Sequence, residues 1–167
     1  MSDAEFRSRH LHPDDDLASF NSGELGLDEW LRRSAHHAEA IRSGRTWVWT
    51  RAGSVLAYFA LAGHVIERHS IPHQIGRGSP ERIPAVLIAR LALHRDLHGQ
   101  GLGGTLLADA SRRIVDATDI VAARFVVVDA ISDDAASFYT HYGYRPIPGT
   151  RRLVRKINDL ANDLYHE

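Results

Sequence analysis

The feature that most constrains the fold is a glycine-rich turn between a wholly apolar segment and an amphipathic one. Residues 86–93 (VLIARLAL) are typical of a buried central strand. The turn covers residues 98–105 (HGQGLGGT), and a helical pattern with one apolar face runs over residues 102–117. Glycines let a ligand approach the backbone closely, and the first N–H groups of a helix have no partner within it. The segment therefore predicts a cradle for a pyrophosphate group.

A Walker phosphate loop does not fit this turn, and a dinucleotide fingerprint fails in the register that begins at Gly101. A Walker phosphate loop requires Lys and then Ser or Thr after its last glycine, whereas Gly104 and Thr105 follow Gly103 here. Read from Gly101, the dinucleotide fingerprint G-x-G-x-x-G fails at Leu106, where its third glycine would stand. A turn that merely begins a helix stays open as the alternative.

Hydrophobic periodicity along the rest of the chain predicts helices and strands in mixed order. The predicted helices cover residues 13–20, 27–43 and 135–142 and the tail to Glu167, and the predicted strands cover residues 46–50, 55–64, 123–131 and 151–157. Residues 67–84 are predicted to be a long loop, and loops of that length are often functional. We expect an α+β fold (mixed α/β layers) that forms one domain over residues 1–167.

Composition limits the chemistry and the setting of the chain. Cysteine is absent, which excludes disulfides, thiolate metal sites and a cysteine nucleophile and favours a reducing, cytoplasmic location. The N-terminus lacks the apolar core of a signal peptide, and no apolar run approaches the roughly 18 residues needed to span a bilayer, so no membrane is expected. The 11 histidines have no ordered ligand spacing, so no metal is expected. With a net charge of -1, any polyanion must bind at a local patch.

Two segments carry a family resemblance. Residues 98–103 (HGQGLG) resemble the signature Gln/Arg-x-x-Gly-x-Gly/Ala of the GNAT superfamily of acetyltransferases, with His98 at the first position. Residues 137–144 (SFYTHYGY) are similar to a second family segment, A-x-x-F-Y-x-x-x-G-F. The resemblance implies the GNAT fold, in which helices flank a mostly antiparallel sheet with splayed central strands. It also implies acetyl-CoA as the co-substrate.

The resemblance assigns roles to particular residues. It implies that the end of the buried strand pairs with the pantetheine arm, that a backbone N–H of Leu91 or Leu93 polarises the thioester, and that the turn holds the pyrophosphate. Tyr139 would donate a proton to the departing thiolate. Asp129 is considered both for orienting the substrate and for capping a turn, and Asp133 is expected to cap a helix. The expected acetyl-CoA-binding residues are Leu91, Ala92, Leu93, His98, Gly99, Gln100, Gly101, Leu102, Gly103, Gly104 and Thr105.

A narrower resemblance extends over about residues 20–153. Residues 20–31 (FNSGELGLDEWL) and 84–93 (PAVLIARLAL) are similar to the GNAT toxins of bacterial type II toxin–antitoxin systems. That resemblance implies acetylation of the α-amine of aminoacyl-tRNA, which blocks translation, together with a ribbon-helix-helix antitoxin and a homodimer. The α-amine has a pKa of about 7.7–8.0, so a strong general base is optional. Seven arginines are expected to form a basic patch for tRNA: Arg32, Arg33, Arg42, Arg45, Arg77, Arg82 and Arg90.

Two other functions stay open from the sequence. The chain could acetylate a small-molecule amine or a protein N-terminus, or it could be a catalytically silent module that binds acyl-CoA. The intact Tyr139 favours an enzyme, an N-acetyltransferase. The alternative to the basic patch is a solvated helix face.

Overall fold

The computed structural model describes residues 6–165, and within them one mixed sheet is accompanied by six α-helices. The strands are β1 Arg9–His10, β2 Arg45–Arg51, β3 Ser54–Glu67, β4 Arg82–Leu93, β5 Phe125–Asp129, β6 Arg145–Pro146 and β7 Arg152–Lys156. The helices are α1 Leu25–Arg33, α2 Ala35–Ile41, α3 His73–Gly76, α4 Leu102–Thr118, α5 Asp133–His141 and α6 Ile157–Tyr165. Short 3-10 helices cover Arg68–Ser70 and Arg95–Leu97.

The sheet has seven strands in the order β1-β2-β3-β4-β5-β7-β6. Its β4–β5 pair is parallel, whereas β1–β2, β2–β3, β5–β7 and β6–β7 are antiparallel. The prediction of an α+β fold with a mostly antiparallel sheet is therefore confirmed. By their internal contacts the described residues divide into two compact units. The first unit runs up to Ala62 and includes Ala89–Ala110, and the second comprises Gly63–Ile88 and the residues from Ser111 onward. Strands β3 and β4 and helix α4 contribute residues to both units.

The first unit is built on the β2–β3 hairpin. Its turn residues Ala52 (φ 51°) and Gly53 (φ 82°) both have positive φ, the geometry that matches the twist of paired strands. Helices α1 and α2 bury their apolar faces in a core that includes Phe20, Leu31 and Tyr58.

Helix α4 is fixed to this unit by a buried carboxylate. Asp109 accepts hydrogen bonds from the backbone N–H and hydroxyl of Ser8, at 2.8 and 2.7 Å, and from the indole N–H of Trp49 at 2.8 Å. Because these donors satisfy the carboxylate, it is buried without an unpaired oxygen.

The second unit is built on the strands β4, β5 and β7. Ala85 to Ile88 pair with Phe125 to Val128, and β7 adds to the other edge of β5. Strands β4 and β5 are almost wholly apolar, as expected for strands that are covered on both faces. The core of this unit includes Ile83, Phe125, Val127 and Val154.

The helix predicted for residues 13–20 is wrong, since the segment consists of turns and a single bridge. The reason lies in its row of aspartates. Asp15 accepts from the backbone N–H of His12 at 2.7 Å, and Asp16 accepts from that of Ala18 at 3.1 Å. Such local side-chain bonds offer the backbone an alternative to a helix, and here they prevail over the favourable helix-dipole charge.

The helix predicted for residues 27–43 is divided into two. Ser34 leaves helical geometry at φ −123°, so that α1 ends there and α2 begins. The end of α2 is formed by Arg42 in the left-handed region at φ 62°, and not by Gly44 as predicted. The backbone N–H of Arg42 bonds back to α2, which satisfies an end carbonyl of the helix.

The predicted loop over residues 67–84 is partly structured, since it contains α3 and gives way to β4 at Arg82. The two-residue strands β1 and β6 were not predicted because they are too short for a periodic pattern. Helix α6 confirms the helical tail as far as Tyr165, and residues 166 and 167 lie outside the described residues. Over residues 6–165, no helix combines the length and apolar character needed to cross a membrane.

Candidate functional site

The end of β4 offers a free strand edge. The register of β4 with β5 runs from Ala85 to Ile88, whereas β4 itself continues to Leu93. The backbone groups of Leu91, Ala92 and Leu93 thus lie beyond the residues paired with β5. A strand edge of this kind can bond to the amide groups of an extended ligand. The pantetheine arm is the extended ligand that the family resemblance predicts here.

The glycine-rich turn contains two residues with positive φ. Gly99 and Gly101 have φ values of 78° and 75°, a region that side-chain-bearing residues rarely adopt. Among residues 6–165, nothing lies within 4 Å of the position that a Cβ would take at either glycine. Helix α4 begins directly afterwards, at Leu102, with no acidic residue in its first turn. Open space and unpaired N–H groups at a helix start fit the pyrophosphate of acetyl-CoA.

His98, the atypical position of the turn, binds the strand before it. The Nε2 atom of His98 lies 2.8 Å from the carbonyl oxygen of Leu93. A carbonyl oxygen only accepts, so Nε2 is the donor. The ring therefore ties the turn to the last residue of β4 and fixes their spacing. His98 therefore connects the turn to β4, in addition to any contact that it makes with a ligand.

Tyr139 is a buried residue of α5. Ser132 caps this helix by accepting from the N–H of Ala135 at 3.1 Å, and the predicted cap Asp133 lies instead in the first turn. The Tyr139 side chain is 6% exposed, and burial raises the pKa of its hydroxyl, so it stays protonated at neutral pH. The same burial would raise the pKa of a thiol beside it, which keeps proton donation feasible. Tyr139 thus has the protonation state that a general acid needs.

The opening segment of α1 has a structural role that its motif did not reveal. Asp28 is 5% exposed and accepts from the backbone N–H of Ser22 at 3.0 and 3.2 Å and from its hydroxyl at 2.7 Å. The carbonyl of Leu27 accepts from the hydroxyl of Tyr58 at 2.6 Å. The Leu-Asp pair therefore fixes the start of α1 to the preceding turn and to β3.

Trp30 of the same segment positions an arginine of β4. Its indole stacks on Tyr58 with an interplanar angle of 14°, and the guanidinium of Arg90 lies 4.4 Å from the centroid of the indole. Burial lowers the pKa of Arg90, yet an arginine stays charged at any physiological pH. Trp30 thereby holds the positive charge of Arg90, which lies 60 residues later in the sequence and directly before Leu91. Sequence reasoning missed this pair because no local pattern marks it.

The arginines predicted to bind tRNA fall into distinct environments. In the first unit, Arg33 and Arg42 are exposed, whereas a guanidinium N–H of Arg32 donates to the carbonyl of Phe20 at 3.0 Å. Arg45 lies 2.5 Å from the carboxylate of Glu39, which compensates its charge. In the second unit, Arg77 is exposed and Arg82 lies 3.7 Å from Glu67. The positive charge of the expected patch is therefore reduced most at Arg45 and Arg82, because each of these arginines lies beside a carboxylate.

The predicted functional loop forms a hollow in the second unit. Its volume is about 680 Å³, and its charged and histidine lining residues are Glu67, Arg68, His69, His73, Arg77 and Glu81. Arg68 donates to the carbonyl of Ser79 at 2.8 Å and so holds the rim together. Arg77 is thus the predicted arginine that faces an open hollow.

Three polar side chains meet on strands of the second unit. The guanidinium of Arg152 donates to both oxygens of Asp129, at 2.8 and 3.0 Å, and its remaining nitrogen lies 3.2 Å from Nε2 of His64. The hydrogen bonds from Arg152 hold the pKa of Asp129 below its usual value, and burial together with Arg152 lowers the pKa of His64. We call these three residues the β5-end cluster. Within residues 6–165, no group of three His, Cys, Asp or Glu residues is arranged to hold a metal ion.

Known proteins resemble this chain in sequence and in fold. The sequence profile of the acetyltransferase (GNAT) domain matches residues 42–146. The tRNA-acetylating toxin of Mycobacterium tuberculosis is 36% identical over 140 residues, which are 84% of this chain and 84% of that protein. A structure of AtaT complexed with acetyl-methionyl-tRNAfMet has a TM-score of 0.85 at 28% identity, over 92% of this chain and 96% of that one. A tyrosine-to-phenylalanine mutant of the AtaT toxin, bound to the C-terminus of the antitoxin AtaR and acetyl-CoA, has a TM-score of 0.83 at 27% identity, over 96% and 97% of the two chains.

Proposed function

The chain belongs to the GNAT family of acetyltransferases, and on that basis we propose that it is a toxin that transfers the acetyl group of acetyl-CoA to the α-amine of an aminoacyl-tRNA. The observation that carries the proposal is the glycine turn at the end of β4, with left-handed Gly99 and Gly101 and open space around both. The acceptor follows from the 36% identical relative, which is a tRNA-acetylating toxin. Acetylation of the α-amine would block translation.

The donor would be held by the backbone of two adjacent segments. Acetyl-CoA supplies a thioester that is more reactive than the amide it forms. Leu91, Ala92 and Leu93 would bond to its pantetheine arm, and the N–H groups from Gln100 to Thr105 would bind its pyrophosphate. A backbone N–H of Leu91 or Leu93 would donate to the thioester carbonyl oxygen. His98 would keep the two segments at a fixed spacing through the carbonyl of Leu93.

Tyr139 would supply the proton that the departing sulfur needs, and the proton that the acetylated nitrogen loses would restore the balance. Its buried hydroxyl is protonated at neutral pH because burial raises its pKa. A protonated donor in a dry environment suits this step, since the thiolate cannot take a proton from bulk water. No strong general base is needed beforehand, because an α-amine with a pKa of about 7.7–8.0 has a large neutral fraction near pH 8.

The tRNA would be bound by arginines whose charge is not already compensated. Arg33, Arg42 and Arg77 are exposed, and Arg90 is held in place by Trp30. Arg32 would contribute less than these because it also binds Phe20. Arg45 and Arg82 would contribute least, since Glu39 and Glu67 lie beside them. A modest salt dependence of binding is expected from so few phosphate contacts.

We also propose the partners that this function implies. The AtaT toxin is seen bound to the C-terminus of its antitoxin AtaR. By likeness to it, this chain would be neutralised by an antitoxin, of the ribbon-helix-helix class, and would act as a homodimer in the cytoplasm. The absence of cysteine is compatible with that reducing compartment.

The test is acetyl transfer from radiolabelled acetyl-CoA to bulk charged tRNA by the purified protein. We expect label on the aminoacyl group, sensitive to mild base that cleaves the ester. Uncharged tRNA is the matched control and should stay unlabelled. Label on polyamines or peptides, with none on any charged tRNA, would reject the proposal in favour of a small-amine or protein acetyltransferase. Acetyl-CoA binding without transfer to any amine would favour a silent binding module.

A further inference from the structure

We propose that His64 binds the acceptor substrate, and that the Nδ1–H of its neutral ring donates to the carbonyl oxygen next to the amine that is acetylated. Asp129 and Arg152 would hold the ring in this state. The inference rests on the proposed function, since it names how the acceptor is recognised. It is carried by the geometry of the β5-end cluster.

The first step is the identity of the ring proton. The Nη1 atom of Arg152 lies 3.2 Å from Nε2 of His64. A guanidinium has donors and no acceptor, so Nε2 must be the acceptor. A neutral imidazole that accepts at Nε2 carries its proton at Nδ1. The contact therefore selects one of the two neutral tautomers and disfavours the charged ring.

The second step is the charge of the cluster. Arg152 occupies both oxygens of Asp129 with two hydrogen bonds. One negative charge, one positive charge and a neutral ring give a net charge of zero. An unpaired carboxylate at this place would stabilise the ammonium form of an amine, which cannot attack a thioester. The paired carboxylate removes that effect and leaves the Nδ1–H as a neutral donor, which suits a carbonyl oxygen.

The third step is the availability of that donor. His64 is half-buried on β3, and within the described part of the chain its Nδ1 atom has no hydrogen-bond partner. A positioned donor without a protein partner is free for a ligand. Asp129 and Arg152, by contrast, satisfy each other. Within residues 6–165, the Nδ1–H of His64 is thus the neutral donor of the cluster that has no protein acceptor.

The fourth step is the location. Asp129 directly follows Val128, the last residue of β5 that is paired with β4. Strands β3 and β7 are separated in the sheet by β4 and β5, so the contact from Arg152 to His64 passes over these two strands. The cluster therefore lies at the end of the β4–β5 pair, beyond which β4 is no longer paired with β5. That is the strand end at which the acetyl group is expected.

The ring state is tested by NMR of protein labelled with ¹⁵N-histidine, with His64→Asn as the assignment control. We expect the neutral Nδ1–H form for His64 at pH 7.5. Saturation with an α-amino acid methyl ester, without acetyl-CoA, should shift its Nδ1 signal. The corresponding amine without a carbonyl should shift it less. A proton at Nε2, or no shift with saturating ester, would overturn the inference whatever the enzyme acetylates.

The contact is tested by the kinetics of His64→Leu and His64→Asn. Asn keeps an N–H donor close to the position of Nδ1, whereas Leu removes it. With charged tRNA, His64→Leu should raise the KM for the acceptor by about two- to tenfold, as expected for one hydrogen bond, while the KM for acetyl-CoA stays within twofold. His64→Asn should recover most of the loss. Equal KM values in Leu and wild type, or an Asn variant no better than Leu, would reject the contact.

The two proposals can fail separately. The preference of each variant for the methyl ester over the carbonyl-free amine is compared at one pH, so that differences in substrate pKa cancel. If wild type acetylates the ester but no charged tRNA, and His64→Leu loses the ester preference, the proposed function fails and the role of His64 stands. If wild type acetylates charged tRNA and His64→Leu keeps the ester preference, the role of His64 fails alone.

Discussion

The rings of Tyr139 and Tyr144 meet edge to face in the second unit, with centroids 5.4 Å apart and an interplanar angle of 65°. Both are buried, and burial raises the pKa of both hydroxyls. Over residues 6–165 the hydroxyl of Tyr144 is fully buried without a hydrogen-bond partner. Two neighbouring tyrosines thus share an environment, yet we assign chemistry only to the first. Their phenylalanine variants separate the two roles.

The change Tyr139→Phe should lower turnover by at least about tenfold, because it removes the proposed proton donor to the sulfur. Acetyl-CoA affinity should stay within twofold, since the backbone of β4 and the turn would hold that substrate. Steady-state turnover with charged tRNA and calorimetric binding of acetyl-CoA measure the two quantities. Unchanged turnover would exclude Tyr139 from the mechanism.

The change Tyr144→Phe should stabilise the protein by about 1 kcal/mol. An unsatisfied buried hydroxyl costs about 1–3 kcal/mol, and phenylalanine removes it while it keeps the ring contact with Tyr139. Urea unfolding gives the free energy of unfolding, and turnover should stay within twofold. A less stable variant would show that the hydroxyl has a partner in solution.

The change Asp28→Ala should lower the free energy of unfolding by about 2–3 kcal/mol, because it leaves the buried N–H and hydroxyl of Ser22 without their acceptor. Ser22→Ala is the matched variant, since it removes the hydroxyl and keeps the backbone bond. It should cost about 1 kcal/mol. Denaturant unfolding of both variants ranks them, and the reverse order would contradict the arrangement at the start of α1.

The change Gly101→Ala should destabilise the protein by about 1–2 kcal/mol, because Gly101 has φ 75°. It should also raise the KM for acetyl-CoA, since the added methyl enters the open space over the turn. Gly149→Ala is the control, with φ 78° and equally open surroundings far along the chain. It should show the same strain and an unaltered KM. An equal rise in KM for both variants would remove the turn from the binding site.

The pKa of His64 predicts a specific pH dependence of stability. Burial and Arg152 lower this pKa in the folded protein, so the unfolded chain binds the proton more tightly. The contribution of His64 is therefore complete above about pH 6.5, the ordinary value, and is lost as the pH falls through the folded value. Between pH 7.5 and 5 the wild type should lose more stability than His64→Asn. Chemical unfolding at several pH values tests this, and parallel curves would contradict it.

The sequence alone was sufficient for elements with a strong local pattern. The apolar run of β4 and the glycines before α4 each lie within a few residues of what they determine. The aspartates before Phe20 show where local reasoning failed, since two local effects competed and the side-chain bonds to the backbone prevailed.

The parts of the site that could not be predicted join residues far apart in sequence. Arg90 rests on Trp30 across 60 positions, and His64 meets Arg152 across 88. The motif Leu-Asp-Glu-Trp-Leu was recognisable, but the donors and aromatic rings that its residues contact are seen only in the folded chain. The carboxylates beside Arg45 and Arg82 likewise alter an expected patch that the spacing of arginines could not resolve.

The carboxylate of Asp109 sets an order of events during synthesis. Its donors, Ser8 and Trp49, leave the ribosome 101 and 60 residues earlier, so the acceptor they share is the last of the three to appear. On a nascent chain that ends before this residue, the groups of Ser8 and Trp49 that donate to Asp109 lack their acceptor. Ribosome-bound chains that stop short of it should stay open to protease, and those that extend well past it should resist. One buried acid on α4 thus completes the polar contacts of the first unit only late in synthesis.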